Sequence, residues 1–127
     1  MSHFTTLKTR IISKDFLKQA LEDLGIEYQE GALEIRGYQG ICTSVELRIP
    51  TSNPEYQIGF RRNGDSYELV ADWYGIEDMK REEFLGRITQ KYAYLVAKNL
   101  LEQQDFAVVE EQVDADHTIR LTLRRMT

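Results

Sequence analysis

The stretch that decides the fold is YQIGFRRNGDSYELVADW, residues 56–73, in which two strand patterns flank a turn signal. Apolar residues alternate with polar ones up to Asn63-Gly64 and again after it. A two-residue type I′ turn needs positive φ at both central positions, which asparagine and glycine tolerate best. We therefore predict an antiparallel hairpin that turns at Asn63-Gly64, pairs Phe60 with Tyr67 and has one apolar face.

Two amphipathic helices are predicted on either side of this hairpin. Residues 14–24 have apolar residues at helical spacing, with Ser13 as an N-cap and Gly25 as a left-handed stop. Residues 82–103 contain no proline and keep an apolar stripe over about six turns, so they form the principal helix. The stripe is expected to pack on the sheet through Ile88, Tyr92 and Leu95.

The remaining alternating segments complete an α+β pattern. Further strands are predicted at 4–12, 33–36, 44–49, 105–112 and 117–125, with a turn at 114–116. The element order is then β-α-β-β-β-β-α-β-β. Connections of hairpin length make the sheet mainly antiparallel, and two helices suffice to cover one face. We predict a two-layer sandwich that forms a single domain over residues 1–127, the size of one ordinary core.

Composition excludes several classes of function. The single cysteine, Cys42, cannot form an internal disulfide or a multi-cysteine metal cage. His3 and His117 lie near the termini without metal-ligand spacing, so we predict neither a metal nor another cofactor. No apolar run is long enough to span a membrane, and a net charge of −5 argues against dedicated nucleic-acid binding. A protein of unexported, soluble type is expected.

Arginine placement is the most informative feature for function. Eight of the ten arginines fall on predicted strands, and six of them alternate away from the core. These six are Arg10, Arg36, Arg48, Arg61, Arg120 and Arg124. We predict that they share the uncovered face of the sheet, where guanidinium groups suit carboxylate or phosphate recognition. Acidic residues alternate to the same side of the strands, so the alternative is that this face carries only solvated cross-strand ion pairs.

Three further residues join the arginines as candidate binding residues. Tyr38 and Tyr74 do not fit the core stripes, and exposed tyrosines favour contact surfaces. Asp72 follows the hairpin, where the alternation brings it near Arg61, either as part of a site or as an ordinary salt bridge. No residue is predicted to be catalytic.

Five blocks of the sequence together resemble a known family. They are residues 1–4 (MSHF), 36–38 (RGY), 58–65 (IGFRRNGD), 67–73 (YELVADW) and 90–94 (QKYAY). The chain is similar over nearly its whole length to the hypothetical chloroplast reading frame thirty-five family of cyanobacteria and algal plastids. The resemblance implies a soluble protein of the cyanobacterial cytoplasm or plastid stroma, and it supplies no catalytic residue or cofactor.

The sequence thus predicts a non-enzymatic accessory protein. We predict that it binds a protein partner with an acidic surface through Arg36, Arg48, Arg61, Asp72, Arg124, Tyr38 and Tyr74. The first alternative is a domain that binds a small molecule or an anion through Arg61 and Asp72, with or without enzymatic activity; a concave pocket lined by both would favour it. The second alternative is RNA binding, which the net charge disfavours.

Overall fold

The computed structural model describes residues 3–104, 106–113 and 118–125. The elements are β1 (Thr5–Lys8), α1 (Lys14–Asp23), β2 (Gln29–Arg36), β3 (Cys42–Pro50), β4 (Gln57–Asn63), β5 (Ser66–Ala71), α2 (Arg81–Gln103), β6 (Phe106–Val113) and β7 (Ile119–Arg125). Short 3-10 helices, Tyr38–Gly40 and Trp73–Gly75, follow β2 and β5. The predicted element order and the α+β class are confirmed. The predicted turn at 114–116 lies outside the described residues.

Five strands form one antiparallel sheet in the order β1-β5-β4-β3-β2. Both helices pack on one face of it. The resulting core combines Leu17 and Leu21 of α1 and Phe84 and Ile88 of α2 with the sheet residues Leu47, Ile49, Ile58, Phe60 and Leu69. Burial of these side chains supplies the main driving force for folding.

The last two strands form a separate two-stranded sheet. Only the first half of α2 contributes fully buried residues, so the helix leaves the core before β6 begins. The Oη of Tyr94 on α2 donates a hydrogen bond to Glu111 of β6 at 2.7 Å. This bond raises the pKa of Tyr94 to about 12, because it favours the protonated phenol. The prediction that Leu95 packs on the sheet is wrong, since Leu95 is only half-buried and lies outside the core cluster.

The hairpin of β4 and β5 exists, but its predicted register is wrong. Phe60 pairs with Leu69 rather than with Tyr67, and the closing pair is Asn63 with Ser66. The two turn residues are therefore Gly64, at φ +68°, and Asp65, which has a negative φ. Positive φ at the first turn residue alone is the pattern of a type II′ turn.

The hairpin of β2 and β3 bends across the face of the sheet that the helices leave free. Ile35 of β2 and Val45 of β3 form a second buried cluster there with Val70 of β5. Gly59 of β4 lies beneath the bend, and a Cβ atom at this position would stand 2.8 Å from Cβ of Val45. The prediction of an uncovered face is therefore wrong, because this hairpin covers part of it.

Helix α1 begins and ends as predicted. The Ser13 side chain accepts the N–H of Phe16, which caps the first turn. Gly25 has φ +71°, and the N–H of Ile26 bonds back to the carbonyl of Leu21 at 2.9 Å, which completes a Schellman motif.

Candidate functional site

Two of the predicted arginines line one cleft. Arg36 is the last residue of β2, and Arg48 lies on the neighbouring strand β3. The cleft has a volume of about 490 Å³ and opens to solvent between the bent hairpin and the β3–β4 connection. Its walls are formed by Glu34, Arg36, Cys42, Arg48, Pro50, Thr51, Pro54 and Gln57.

The end of β2 is anchored at this cleft by main-chain and side-chain hydrogen bonds. Gln57 accepts the N–H of Arg36 through Oε1 at 2.7 Å and donates from Nε2 to the carbonyl of Pro54 at 2.7 Å. The same carbonyl accepts Nη2 of Arg36 at 3.0 Å. These bonds fix the position of the guanidinium group without using a charged partner.

Arg48 is held in the same manner. Its Nε donates to Oε1 of Gln29 at 2.9 Å, Nη2 donates to the same oxygen, and Nη1 donates to the carbonyl of Glu34 at 3.2 Å. Within the described part of the chain, no carboxylate lies within 4 Å of either guanidinium in the cleft. The cleft thus presents two positive charges that are positioned by neutral acceptors.

Arg61 has a different environment. Its Nε donates to Glu68 at 2.7 Å, and Nη1 donates to the hydroxyl of Thr43 at 3.0 Å. Glu68 is only 5% exposed. The hydrogen bond from Arg61 lowers the pKa of Glu68, and a second bond from Asn63 acts in the same direction against the effect of burial. This guanidinium compensates a nearly buried carboxylate, and the salt bridge expected between Arg61 and Asp72 is replaced by this one.

Asp72 joins two loops. Its carboxylate is 2% exposed and accepts the N–H of Tyr38 at 2.9 Å and that of Tyr74 at 3.2 Å. The two tyrosine rings meet edge to face with centroids 5.9 Å apart, and Tyr74 is 71% exposed. Asp72 therefore fixes the tip of the β2–β3 hairpin against the end of β5.

The prediction that six arginines share one face is wrong. Arg124 and Arg120 lie on β7, in the separate sheet, and Arg10 lines a groove beside α2. The candidate residues fall into four groups: Arg36 with Arg48, Asp72 with Tyr38 and Tyr74, Arg61 in its own ion pair, and Arg124 on the separate sheet. The alternation of side chains along a strand could not separate these groups, because it does not show how a hairpin bends.

Sequence reasoning missed two residues of the cleft, Gln57 and Cys42. Alternation along the strand places Gln57 on the polar side and suggests no role for it, although it holds the backbone of Arg36. Cys42 is exposed, pairs with Arg36 across the hairpin and donates its S–H to the carbonyl of Gly40 at 3.4 Å. The sequence held no signal for this, because the β2–β3 and β3–β4 connections lie at opposite ends of β3 and only the bend of the hairpin brings Cys42 and Gln57 to one cleft.

The described residues contain neither a metal-binding cluster nor a membrane-spanning helix. No group of three His, Cys, Asp or Glu side chains in that part of the chain could hold a metal ion. His117 lies outside it. No α-helix in the described ranges is both long and apolar enough to cross a bilayer.

Comparison with known proteins gives a family. Residues 20–122 match the model of a family described as protein of unknown function (DUF1257). The chain is 38% identical to the uncharacterized protein ycf35 of Guillardia theta and 34% identical to that of Cyanophora paradoxa, in each case over 98% of both chains. The ycf35 protein of Pyropia yezoensis is 34% identical over the same share. No solved structure shows a significant match.

Proposed function

Given that the chain belongs to the DUF1257 family, we propose that it is an accessory protein that binds an acidic segment of a partner protein at the Arg36–Arg48 cleft. The observation that carries this proposal is that the two guanidinium groups have only neutral hydrogen-bond acceptors among the described residues, although Glu34 also lines the cleft. A guanidinium held by amide and carbonyl oxygens keeps its full charge and can still form bidentate hydrogen bonds with an incoming carboxylate.

The position of the cleft also supports recognition of a chain segment. It lies at the edge strand β2 and is bounded by two prolines, Pro50 and Pro54, which present a rigid, partly apolar wall. Two positive charges on the walls of one cleft suit a peptide that carries more than one acidic side chain. Tyr38 at the tip of the same hairpin and Tyr74, which packs against it from the end of β5, remain proposed contact residues.

A small anion is a second candidate ligand for the same cleft. The volume of this open cleft, about 490 Å³, falls within the range of small-molecule sites. This candidate replaces the earlier alternative built on Arg61 and Asp72, since the described contacts give those two residues separate partners. RNA stays the weakest alternative because of the net charge of −5. The resemblance to the family supports a place in the cyanobacterial cytoplasm or the plastid stroma.

The test compares the wild-type protein with the double variant Arg36→Gln/Arg48→Gln. Glutamine removes both charges and keeps a hydrogen-bond donor at each position. The matched control is Lys80→Gln/Arg87→Gln, which removes two charges from exposed positions near the start of α2. Binding of a fluorescent peptide rich in Asp and Glu is measured by anisotropy at low and high salt, with matched circular dichroism spectra.

We expect the cleft variant to bind the acidic peptide at least about tenfold more weakly, which corresponds to about 1.4 kcal/mol. The control should bind as the wild type does, apart from a small long-range effect that salt screens. Equal affinities of the wild-type protein and the cleft variant would overturn the proposal. Saturable binding of inorganic phosphate or citrate that excludes the peptide would favour the small-anion candidate instead.

A further inference from the structure

The second half of α2 borders a groove with a mostly apolar lining. Thr89, Tyr92, Ala93, Val96, Ala97 and Leu100 form one wall, and Arg10 and Ile11 form the other. At the rim, Leu100 is 51% exposed and Ile12 is 60% exposed. An apolar surface of this kind on a protein with 29% charged residues is typical of a contact site.

We propose that a second copy of this chain occupies the groove, with the two α2 helices packed antiparallel about a two-fold axis. Such an interface requires a self-complementary surface. Ala93 and Ala97 leave a depression one and two turns before Leu100, which protrudes. An axis level with Val96 and Ala97 brings Leu100 of each copy over Ala93 of the other, so that each helix supplies a ridge and a groove.

Charge supports the antiparallel orientation. The last turn of α2 contains no basic residue, so the negative end of the helix dipole lacks a compensating charge from its own helix. Arg10 lines the groove and has no carboxylate within 4 Å in the described part of the chain. The backbone N–H of Ile12, two residues after Arg10, bonds to the hydroxyl of Tyr92. Arg10 therefore lies beside the part of the groove that is nearer the start of α2.

In the antiparallel arrangement, the earlier part of one groove meets the C-terminal end of the other α2. Each Arg10 then faces the C-terminal carbonyl groups of α2 in the second copy. Uncharged side chains flank the groove along α2, namely Gln90, Gln103 and Gln104. The overall charge of −5 is therefore not concentrated at the contact. One helix pair is smaller than a standard interface of about 800 Å² per partner, so a micromolar dissociation constant is expected.

The test uses sedimentation velocity of the full chain from about 5 to about 500 µM, which brackets micromolar dissociation constants. The wild-type protein should shift from one to two chains per particle over this range. Ala97→Glu introduces a carboxylate into the middle of the groove at an exposed position, and Arg10→Glu reverses the flanking charge. Each should weaken association at least about tenfold. The matched control Ala32→Glu, at an exposed position of β2, should associate as the wild type does.

Orientation is tested by oxidative cross-linking in a Cys42→Ser background. The variant Ala93→Cys/Leu100→Cys should form cross-linked dimers faster than either single variant. Single variants that cross-link as fast as the double variant indicate a parallel pair, in which like positions meet, and overturn the proposed arrangement. A monomer at every concentration, or association that Ala97→Glu leaves unchanged while its spectrum stays native, overturns the groove as the contact. Neither result bears on the arginine cleft, which lies elsewhere on the molecule and is tested with an acidic peptide.

Discussion

The phenol oxygen of Tyr92 accepts the backbone N–H groups of both Ile12 and Ser13, at 3.1 and 3.0 Å. Tyr92 lies in the middle of α2, and Ser13 is the N-cap of α1. One side chain thus accepts hydrogen bonds from two backbone N–H groups that take no part in a helix or a sheet. It also joins the start of α1 to the middle of α2.

Tyr92→Phe should lower the free energy of unfolding by about 1 to 2 kcal/mol, because two backbone donors lose their acceptor. Urea denaturation followed by circular dichroism measures the change. Tyr28→Phe is the matched control, since its hydroxyl bonds only to the exposed Glu22. It should cost less than about 0.5 kcal/mol. Equal losses would show that the Tyr92 bonds contribute nothing special to stability.

Gly59→Ala should destabilise the protein by about 1 to 3 kcal/mol, because the new methyl group would push against Val45 and force the bent hairpin away from β4. Val45→Ala in the same chain should recover part of the loss, which a double-mutant cycle detects. Gly86→Ala serves as the contrast: nothing lies within 4 Å of a Cβ there, and alanine is the better helix former. A neutral Gly59→Ala would contradict the close approach.

Gly64→Val should cost more than about 1 kcal/mol, because a β-branched residue is strained at φ +68°. The observed turn residues are Gly64 and Asp65 rather than Asn63 and Gly64, and this difference gives a second prediction. Asn63 lies in β4 without positive φ, so Asn63→Thr should not introduce backbone strain and should cost less than Gly64→Val. Thermal unfolding of both variants decides which residue carries the strained conformation.

Ile88→Ala should cost about 2 to 5 kcal/mol, since this side chain is fully buried in the main core and its removal leaves a cavity. Leu95→Ala should cost clearly less, because Leu95 is only half-buried and α2 has already left the core at this point. Denaturant midpoints at an unchanged m-value report the comparison. A larger loss at Leu95 would mean that the second half of α2 packs more tightly than its exposure indicates.

Acid should weaken the fold in part through Glu68. Its pKa is lowered in the folded state, mainly by the hydrogen bond from Arg61, so its stabilising contribution is present above the unfolded value of 4.5. The contribution is lost as the pH falls below 4.5 and through the folded pKa. Glu68→Gln should therefore flatten the fall of the unfolding free energy over that range. An unchanged slope would show that other carboxylates carry the acid sensitivity.

Local patterns in the sequence determined the elements themselves. Ser13 and Gly25 mark the ends of α1, because caps act through neighbouring backbone groups. Alternation identified β4 and β5, because a strand exposes successive side chains to opposite faces. The register of that hairpin was not determined in the same way. The predicted and observed pairings differ by two residues, which leaves every side chain on the same face, so hydrophobic alternation cannot distinguish them.

Tertiary structure alone decided where the arginines lie. The bend of the β2–β3 hairpin depends on the contact of Gly59 with Val45, which are 14 residues apart in the chain and on different strands. That contact, and the departure of α2 from the core, separate Arg36 and Arg48 from Arg61 and Arg124. Parity along one strand reports which side a residue faces locally. It carries no information on how a sheet bends or which sheet a strand joins, because packing between distant segments sets both.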